Sequence, residues 1–388
     1  MKKALTNGMS INIILLGIVS FINDASSEMI MPILPLFIAS LGGTGLIIGL
    51  IGGTRDSISS LLKVVCGYWS DKTGKRKIFV FSGYLTSSLF KLLLSFSTIW
   101  QHVLLFSGLE RVGKGIRTAP RDAIIADSAP KKRGKGFGIH RAMDTAGAIL
   151  GSAVVFLLIW LIAVDFNVII FIAGCVAFLS LIPLLLVKEA KKKPQNISFK
   201  VSLKKLPRPL KLFLVVSSIF AFANFSYMFF ILQAQTFFTG KWSIAAPILL
   251  YILFNVFYAI FAVPFGSLSD KIGRKTVLLS GYLLFAVTTL GFAFLYSLPG
   301  FIVLFALYGI VYAILDGNQR AFVADLSPEN LRSTSLGTYH TLTGLVALPS
   351  SLVAGLIWEV VDPTFTFLCG SVISLASIIA FLLLKKHF

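Results

Sequence analysis

The sequence predicts an all-α membrane protein of twelve transmembrane helices, arranged as two pseudo-symmetric six-helix bundles. Three observations predict it: an apolar composition, a one-sided placement of basic residues, and an internal repeat. Hydrophobic residues make up 56% of the 388 positions and charged residues only 13%. A soluble domain carries about a quarter charged residues, because water must solvate its surface. Here the outer solvent must be largely hydrocarbon.

A helix needs about 20 apolar residues to cross roughly 30 Å of bilayer core. Twelve stretches qualify, near 11–40, 45–69, 78–98, 103–125, 138–162, 166–187, 212–238, 244–265, 277–297, 300–324, 334–358 and 365–384. With the amino terminus on the cytoplasmic side, the loops on that side and the two termini receive 25 Lys and Arg, and the opposite loops only Lys241. The other nine lie within spans. That bias is the positive-inside rule, and it places both termini in the cytoplasm of a multi-pass cell-membrane (plasma or inner-membrane) protein. It also accounts for the net charge of +19 without a nucleic-acid partner. Lys2 and Lys3 precede the first apolar stretch, but no small-residue cleavage site follows, so no cleavable leader is expected. Cys66, Cys175 and Cys369 fall in three different spans, which predicts neither a disulfide framework nor a metal cluster.

The repeat defines the halves. GYWSDKTGKRK begins at Gly67 and GSLSDKIGRKT at Gly266, 199 positions later. ADSAPKKR around Asp127 answers ADLSPENLR around Asp325 at a displacement of 198, and Gly138 answers Gly337 at 199. The predicted bundles are therefore 1–190 and 212–388, joined by a basic cytoplasmic linker, 191–211. In that linker Phe199, Leu203 and Leu206 share a helical face, which suits either a segment lying on the anionic inner leaflet or a solvated loop.

The doubled loop pattern G-x-x-x-D-K/R-x-G-K/R-K/R resembles the cytoplasmic signature of the major facilitator superfamily, and Arg111 with Gly115 resembles its fourth-span motif. The run AGAILG, with Gly147 and Gly151, is similar to the fifth-span motif of that family's exporters, although Ser152 stands where exporters usually have proline. The resemblance is to prokaryotic drug or solute:proton antiporters and implies alternating access between two bundles. It further implies a cytoplasmic gate of Gly67, Asp71, Lys72, Gly74, Lys75, Arg76, Arg121 and Asp127, repeated as Gly266, Asp270, Lys271, Gly273, Arg274, Lys275 and Asp325. The glycines permit tight turns, and the acids meet helix ends or guanidinium groups. The plainer role for these charges, fixing topology, would not require the same Gly and Asp spacing twice.

A charge at mid-bilayer costs at least about 2.5–3.5 kcal/mol, so each intramembrane charge needs a partner or a wet cavity. The amino-terminal half holds most of them. Asp24 and Glu28 are four apart and share a face; Glu110, Lys114, Arg117 and Arg121 form one stripe, with Arg111 about 100° away. Arg55 and Asp56 lie in the second span, and Asp144 lies in the fifth. Proton-coupling candidates are Asp24, Glu28, Asp144 and Arg111; a permanent structural network of the same charges stays open beside that role. Cavity or substrate candidates are Arg55, Asp56, Glu110, Lys114 and Arg117, with Asn224, Tyr227, Asn255, Asp316 and His340 from the second half.

No nucleophile–base pair, metal motif or nucleotide loop is recognisable, so the expectation is a non-enzyme without cofactors. Its expected partners are the lipid bilayer, protons and a small-molecule solute, and it is expected to act as a monomer. Efflux of a small organic solute leads. Alternatives are an importer or exchanger of an organic anion, sugar or phosphate ester, and, from another class, a non-transporting receptor.

Overall fold

The computed structural model describes residues 11–128, 133–189, 206–328 and 332–384. Phe199 and Leu203 of the linker face lie outside them. The regular structure among the described residues is helical. In chain order the helices are α1 (Ile11–Ile30), α2 (Leu34–Ser40), α3 (Gly45–Thr73), α4 (Arg76–Leu94), α5 (Trp100–Ser128), α6 (Arg133–Ile162), α7 (Phe166–Leu179) and α8 (Leu181–Leu185). They continue with α9 (Arg208–Ala223), α10 (Met228–Phe237), α11 (Trp242–Ile272), α12 (Arg274–Phe294), α13 (Leu298–Asp325), α14 (Arg332–Val360) and α15 (Pro363–Leu383).

Among the described residues, ten helical segments are long and apolar enough to cross a membrane, three of them built from two helices in series: Ile11–Ser40, Phe166–Leu185 and Arg208–Phe237. Two further helices of 29 residues each, α3 and α6's neighbour α5, reach comparable length but carry the charges of the second and fourth predicted spans. Their charge is what sets them apart from the rest.

Burial is inverted relative to a water-soluble protein. Large apolar side chains such as Leu161, Val263 and Leu383 are 70%, 75% and 75% exposed, while Ser87, Ser152, Thr288 and Ser374 are fully buried. Lipid solvates the first set, and the hydroxyls of the second find acceptors inside. Thr288, for example, donates to the Leu284 carbonyl at 2.7 Å, and Ser374 to that of Tyr282 at 2.8 Å.

Two compact units result, one of Met1–Phe37 with Ile58–Phe199, the other of Ile38–Ser57 with Lys200–Phe388. The first has a core of Leu16, Val19, Val80, Tyr84, Ile124, Ile125, Leu184 and Val187. The second is built on aromatic rings, with Phe220 stacked on Tyr282 and Phe230 on Tyr308, each at 4.2 Å between centroids. It also includes the first part of α3, where Gly45, Gly49 and Gly53 press against Trp358, Ser351 and Leu348 of α14. Glycine at every fourth position lets those backbones meet.

The first span of each unit is broken. Pro32 separates α1 from α2, where the missing N–H ends the helical ladder. Between α9 and α10 no proline intervenes; residues 224–227 leave the helix, and α14 takes up the freed backbone groups. Ser226 N–H donates to Ser351 Oγ at 3.1 Å, and Ser350 Oγ donates to the Phe222 carbonyl at 2.8 Å. In the first unit Ser152 Oγ donates to the Glu28 carbonyl at 3.4 Å. Ser152 and Ser351 are 199 residues apart, the repeat distance.

Candidate functional site

Close helix packing positions the polar groups of the first unit. On α6, Gly147 lies against the Phe21 carbonyl and Gly151 against that of Ala25, both on α1. A side chain at either glycine would collide with backbone. The AGAILG run therefore holds α1 and α6 at the approach where Ser20 of α1 reaches Asp144 of α6 and the charges of Asp24 and Asp144 act on each other. Asp144 also accepts from Ser20 Oγ and from Arg141 Nη1, each at 3.0 Å. Asp24 accepts from the Asn23 amide at 3.2 Å.

Helix α5 supplies the cations. Lys114 and Arg117 face Asp24, and Arg121 faces Asp144. Arg121 pairs with Asp122 at 2.9 Å and donates to Ser20 Oγ at 3.2 Å, so it belongs to this cluster as well as to the predicted gate. Arg117 lies over the Tyr84 ring at 4.4 Å from its centroid and donates to Ser87 Oγ at 2.5 Å. Glu110 and Arg111 pair with each other, Nε to Oε2 3.2 Å, and Arg111 reaches Met31 Sδ at 3.1 Å. Glu28 is half-buried one turn along α1 from Asp24.

Lys91 on α4 is fully buried and donates to Ser27 Oγ at 2.8 Å, Ser26 Oγ at 3.0 Å and the Asn23 carbonyl at 3.3 Å. It was not among the predicted site residues, yet a lone lysine in an apolar span is itself a signal.

At the loop between α3 and α4, Arg76 is the centre. Its guanidinium holds Asp71 at 2.5 Å and Asp127 at 2.6 Å. Gly74, at φ +69°, makes the turn. Lys72 lies over the Tyr68 and Trp69 rings at 5.8 and 5.4 Å, and Lys75 is exposed. A further acid, Glu189, accepts from the backbone N–H groups of Arg76 at 2.5 Å and Lys77 at 3.1 Å, capping α4 at the end where its amides lack partners. No local sequence pattern announces a cap supplied from 113 residues away.

The second unit repeats the loop. Arg274 holds Asp270 at 2.9 Å and also Asp325, and donates to Ser269 Oγ at 3.1 Å. Gly273 turns the chain at φ +92°. Lys271 is exposed and Lys275 half-buried. Of the paired glycines Gly67 and Gly266, the first sits 3.1 Å from the Ala119 methyl and the second has open space around it.

Deeper in that unit, α11 and α13 present Tyr258, Tyr312 and Asp316 together. Tyr258 Oη donates to Asp316 at 2.8 Å, and Arg320 pairs with the same carboxylate at 2.6 Å. Tyr312 lies by Tyr308, Oη to Oη 3.4 Å, Asn224 sits at the α9–α10 break, and Tyr227 packs tilted against Tyr251 at 5.8 Å. Asp56 is exposed on this unit's part of α3, while Arg55 beside it is 5% exposed. Asn255 donates to its own helix at Tyr251, 3.3 Å, and His340 packs against Tyr339 at 5.3 Å. Among the described residues no three His, Cys, Asp or Glu side chains converge as metal ligands.

Against known proteins, a family model described as Major Facilitator Superfamily matches residues 16–244 and 215–387. An uncharacterized MFS-type transporter of Methanocaldococcus jannaschii is 57% identical over 374 residues, covering 95% of this chain and 94% of that one. Multidrug resistance protein MdtG of a Rahnella species is 31% identical over 150 residues, 37% of this chain and 36% of its own. Among solved structures, nucleoside transporter NupG superposes with a TM-score of 0.82 at 15% identity, covering 97% of this chain and 99% of that one. A POT family transporter in complex with 5-aminolevulinic acid gives 0.81 at 12% identity, covering 98% and 97%. At these identities the structural likeness is one of fold.

Proposed function

The chain belongs to the major facilitator superfamily and is a membrane transporter, not an enzyme, and from that premise we propose proton-coupled efflux of a small organic solute by alternating access. In this reading twelve spans form the two bundles, both termini lie in the cytoplasm of the cell membrane, and a monomer suffices. The observation that carries it is the gathering of Asp24, Asp144, Lys114, Arg117 and Arg121 on three helices of one unit. Acids and bases this close, inside an apolar bundle, bind or release a proton at the cost of a small rearrangement.

The two loop centres support the cycling part of the reading. Arg76 and Arg274 tie each loop to the far end of a long helix, so that each moves as one piece. Asn224, Tyr227, Asp56, Asp316 and His340 are the solute contacts assigned to the second unit, with Arg55 and Asn255 behind them. Discontinuous first helices are where transporters place their sites, and the α9–α10 break puts Asn224 and Tyr227 at such a point. The partial likeness to a multidrug resistance protein supports efflux.

One observation favours the alternative of an organic-anion importer or exchanger. Lys91, Lys114 and Arg117 add positive charge to the same unit, and the acceptors around Lys91 are neutral oxygens. A substrate panel in proteoliposomes with imposed pH gradients separates these readings. Cationic and neutral solutes driven outward by an inward proton gradient support efflux; gradient-driven uptake of anions supports the alternative. Transport indifferent to the gradient, and unchanged by Asp24→Asn, Glu28→Gln and Asp144→Asn, sinks proton coupling.

A further inference from the structure

Lys91, in the last turn of α4, is 1% exposed, and three oxygens of α1 meet its nitrogen. Ser27 Oγ lies at 2.8 Å, Ser26 Oγ at 3.0 Å and the Asn23 carbonyl at 3.3 Å. The protons of both hydroxyls are committed elsewhere. Ser26 donates to the Ala173 carbonyl of α7 at 2.6 Å, and Ser27 donates to the Asn23 carbonyl at 3.0 Å. Each of the three oxygens therefore turns lone pairs toward Nζ. A neutral amine, with two N–H groups and a lone pair, would set that lone pair against one of them. An ammonium has three donors for three acceptors. Packing makes the place: Gly174 of α7 lies against the Leu92 backbone of α4, beside both Ala173 and Lys91. The fold itself does not call for a lysine there. Gly83 and Tyr84 of α4 recur as Gly281 and Tyr282 of α12, 198 positions on. The same displacement sets Thr289 opposite Lys91, and Thr289 donates only within its own helix, to Phe285 and Ala286.

We infer that the Lys91 ammonium is the resident cation of a three-oxygen site on α1, one that accepts a free alkylammonium ion once the lysine chain is removed. Lys91 is thus a positioning residue. It pins Asn23–Ser27, the turn that carries Asp24, against α4 and ahead of the break at Pro32. A charge in hydrocarbon needs such partners, and neutral oxygens supply them here without a counter-charge that would have to move with it. The separations are those of N–H donors to oxygen, so the site suits an ammonium group. Because the chain itself fills it, the wild type needs no dissolved monovalent cation at this point of α1. What Asp24 gains from the placement rests on the proton-coupled reading; the resident cation does not.

The test needs no transported solute. Lys91→Ala removes the side chain beyond Cβ, which is a propylammonium group. The melting temperature of the purified full-length variant should lie well below that of the wild type. Titrated at neutral pH with ammonium, methyl-, ethyl-, propyl- and butylammonium chlorides, it should recover saturably, as binding to the folded state requires. Recovery should be greatest with propylammonium and reach at least half of the loss. Tetramethylammonium chloride, equal in charge but without an N–H, should restore nothing, and the wild type should respond to none of the series. A flat response, or equal recovery with tetramethylammonium, overturns the inference. Lys91→Met keeps the volume without the donors and serves if the alanine variant does not fold. A wild-type melting temperature in Lys91→Met would mean that packing suffices, and overturns it too. Ser27→Ala should cost less in the Lys91→Met background than in the wild type; equal losses in both count against the site. Ethidium transport by wild-type proteoliposomes keeps the two readings apart. Its absence, with the alkylammonium profile intact, overturns efflux and leaves the resident cation standing.

Discussion

Arg76 reaches Asp127 and Arg274 reaches Asp325 across the same 51 residues of chain, each arginine also holding the acid that ends the preceding helix. Aligned on the repeat offset of 199, however, Arg76 falls opposite Lys275 and not Arg274. The two units have kept the guanidinium and its two carboxylates while moving it by one position. A fork of five N–H donors can serve two acids at once, whereas an ammonium is a single point of charge. The shift in position with retention of the geometry argues that the bridge is what matters.

Arg76→Lys should therefore behave as a loss, not as a conservative change. Charge-assisted hydrogen bonds contribute about 1.5–3 kcal/mol each, and lysine cannot span both acids. The side chain of Arg76 is 13% exposed against 23% for Arg274, so the first loop is the less screened. Thermal unfolding in detergent should show a larger drop for Arg76→Lys than for Arg274→Lys, and the transport rate should fall more than the apparent affinity. Equal, small effects at both sites would contradict the bridging role.

Glu189 offers an independent measurement on the same loop. Its carboxylate accepts from the Arg76 and Lys77 amides, at the positive end of the α4 dipole. Removing a cap of this kind costs about 0.5–2 kcal/mol. Glu189→Ala should lower the melting temperature and loosen amide protection in the first turn of α4, while Glu189→Gln retains part of both. Hydrogen exchange over residues 76–80 is the direct check.

Much of this was legible in the sequence, and for physical reasons. Apolar run length and the sidedness of Lys and Arg report the solvent around the spans, and the Gly74 and Gly273 turns follow from a backbone conformation few other residues adopt. The stripe on α5 could be drawn from helical spacing alone. What could not be drawn is which group meets which across helices. The Ser20–Asp144 hydrogen bond depends on how closely α1 and α6 approach, and the α9–α10 break has no proline to mark it. Glu189 and Ser351 act on backbone groups 113 and 125 residues distant, where sequence carries no periodic trace.

Glycines that look alike in the sequence should differ sharply on substitution. A methyl at Gly147 or Gly151 would run into the backbone carbonyls of Phe21 or Ala25, which cannot rotate away. Gly266 has open space on the side where a methyl would project, although it opens the second loop motif. Within a helix, alanine is favoured over glycine by roughly 0.5–1 kcal/mol. Gly151→Ala should therefore give low yields of folded protein with a markedly depressed melting temperature, and Gly266→Ala should be neutral or stabilising. Size-exclusion profiles and thermal scans of the two side by side decide the point.

Ser351 tests whether the break between α9 and α10 is maintained by α14. Its hydroxyl accepts from the Ser226 amide, a donor that the interrupted helix leaves without an internal partner. A buried amide deprived of its acceptor costs about 1–3 kcal/mol, and hydrocarbon offers no substitute. Ser351→Ala should destabilise the protein by that order, and Ser351→Thr, which keeps the oxygen, should recover much of it unless the added methyl meets the Gly49 backbone beside it. The matching change in the first unit, Ser152→Ala, removes a longer bond to a carbonyl, 3.4 Å against 3.1 Å, and should cost less. Equal losses at the two serines would mean that packing, and not the broken helix, sets their worth.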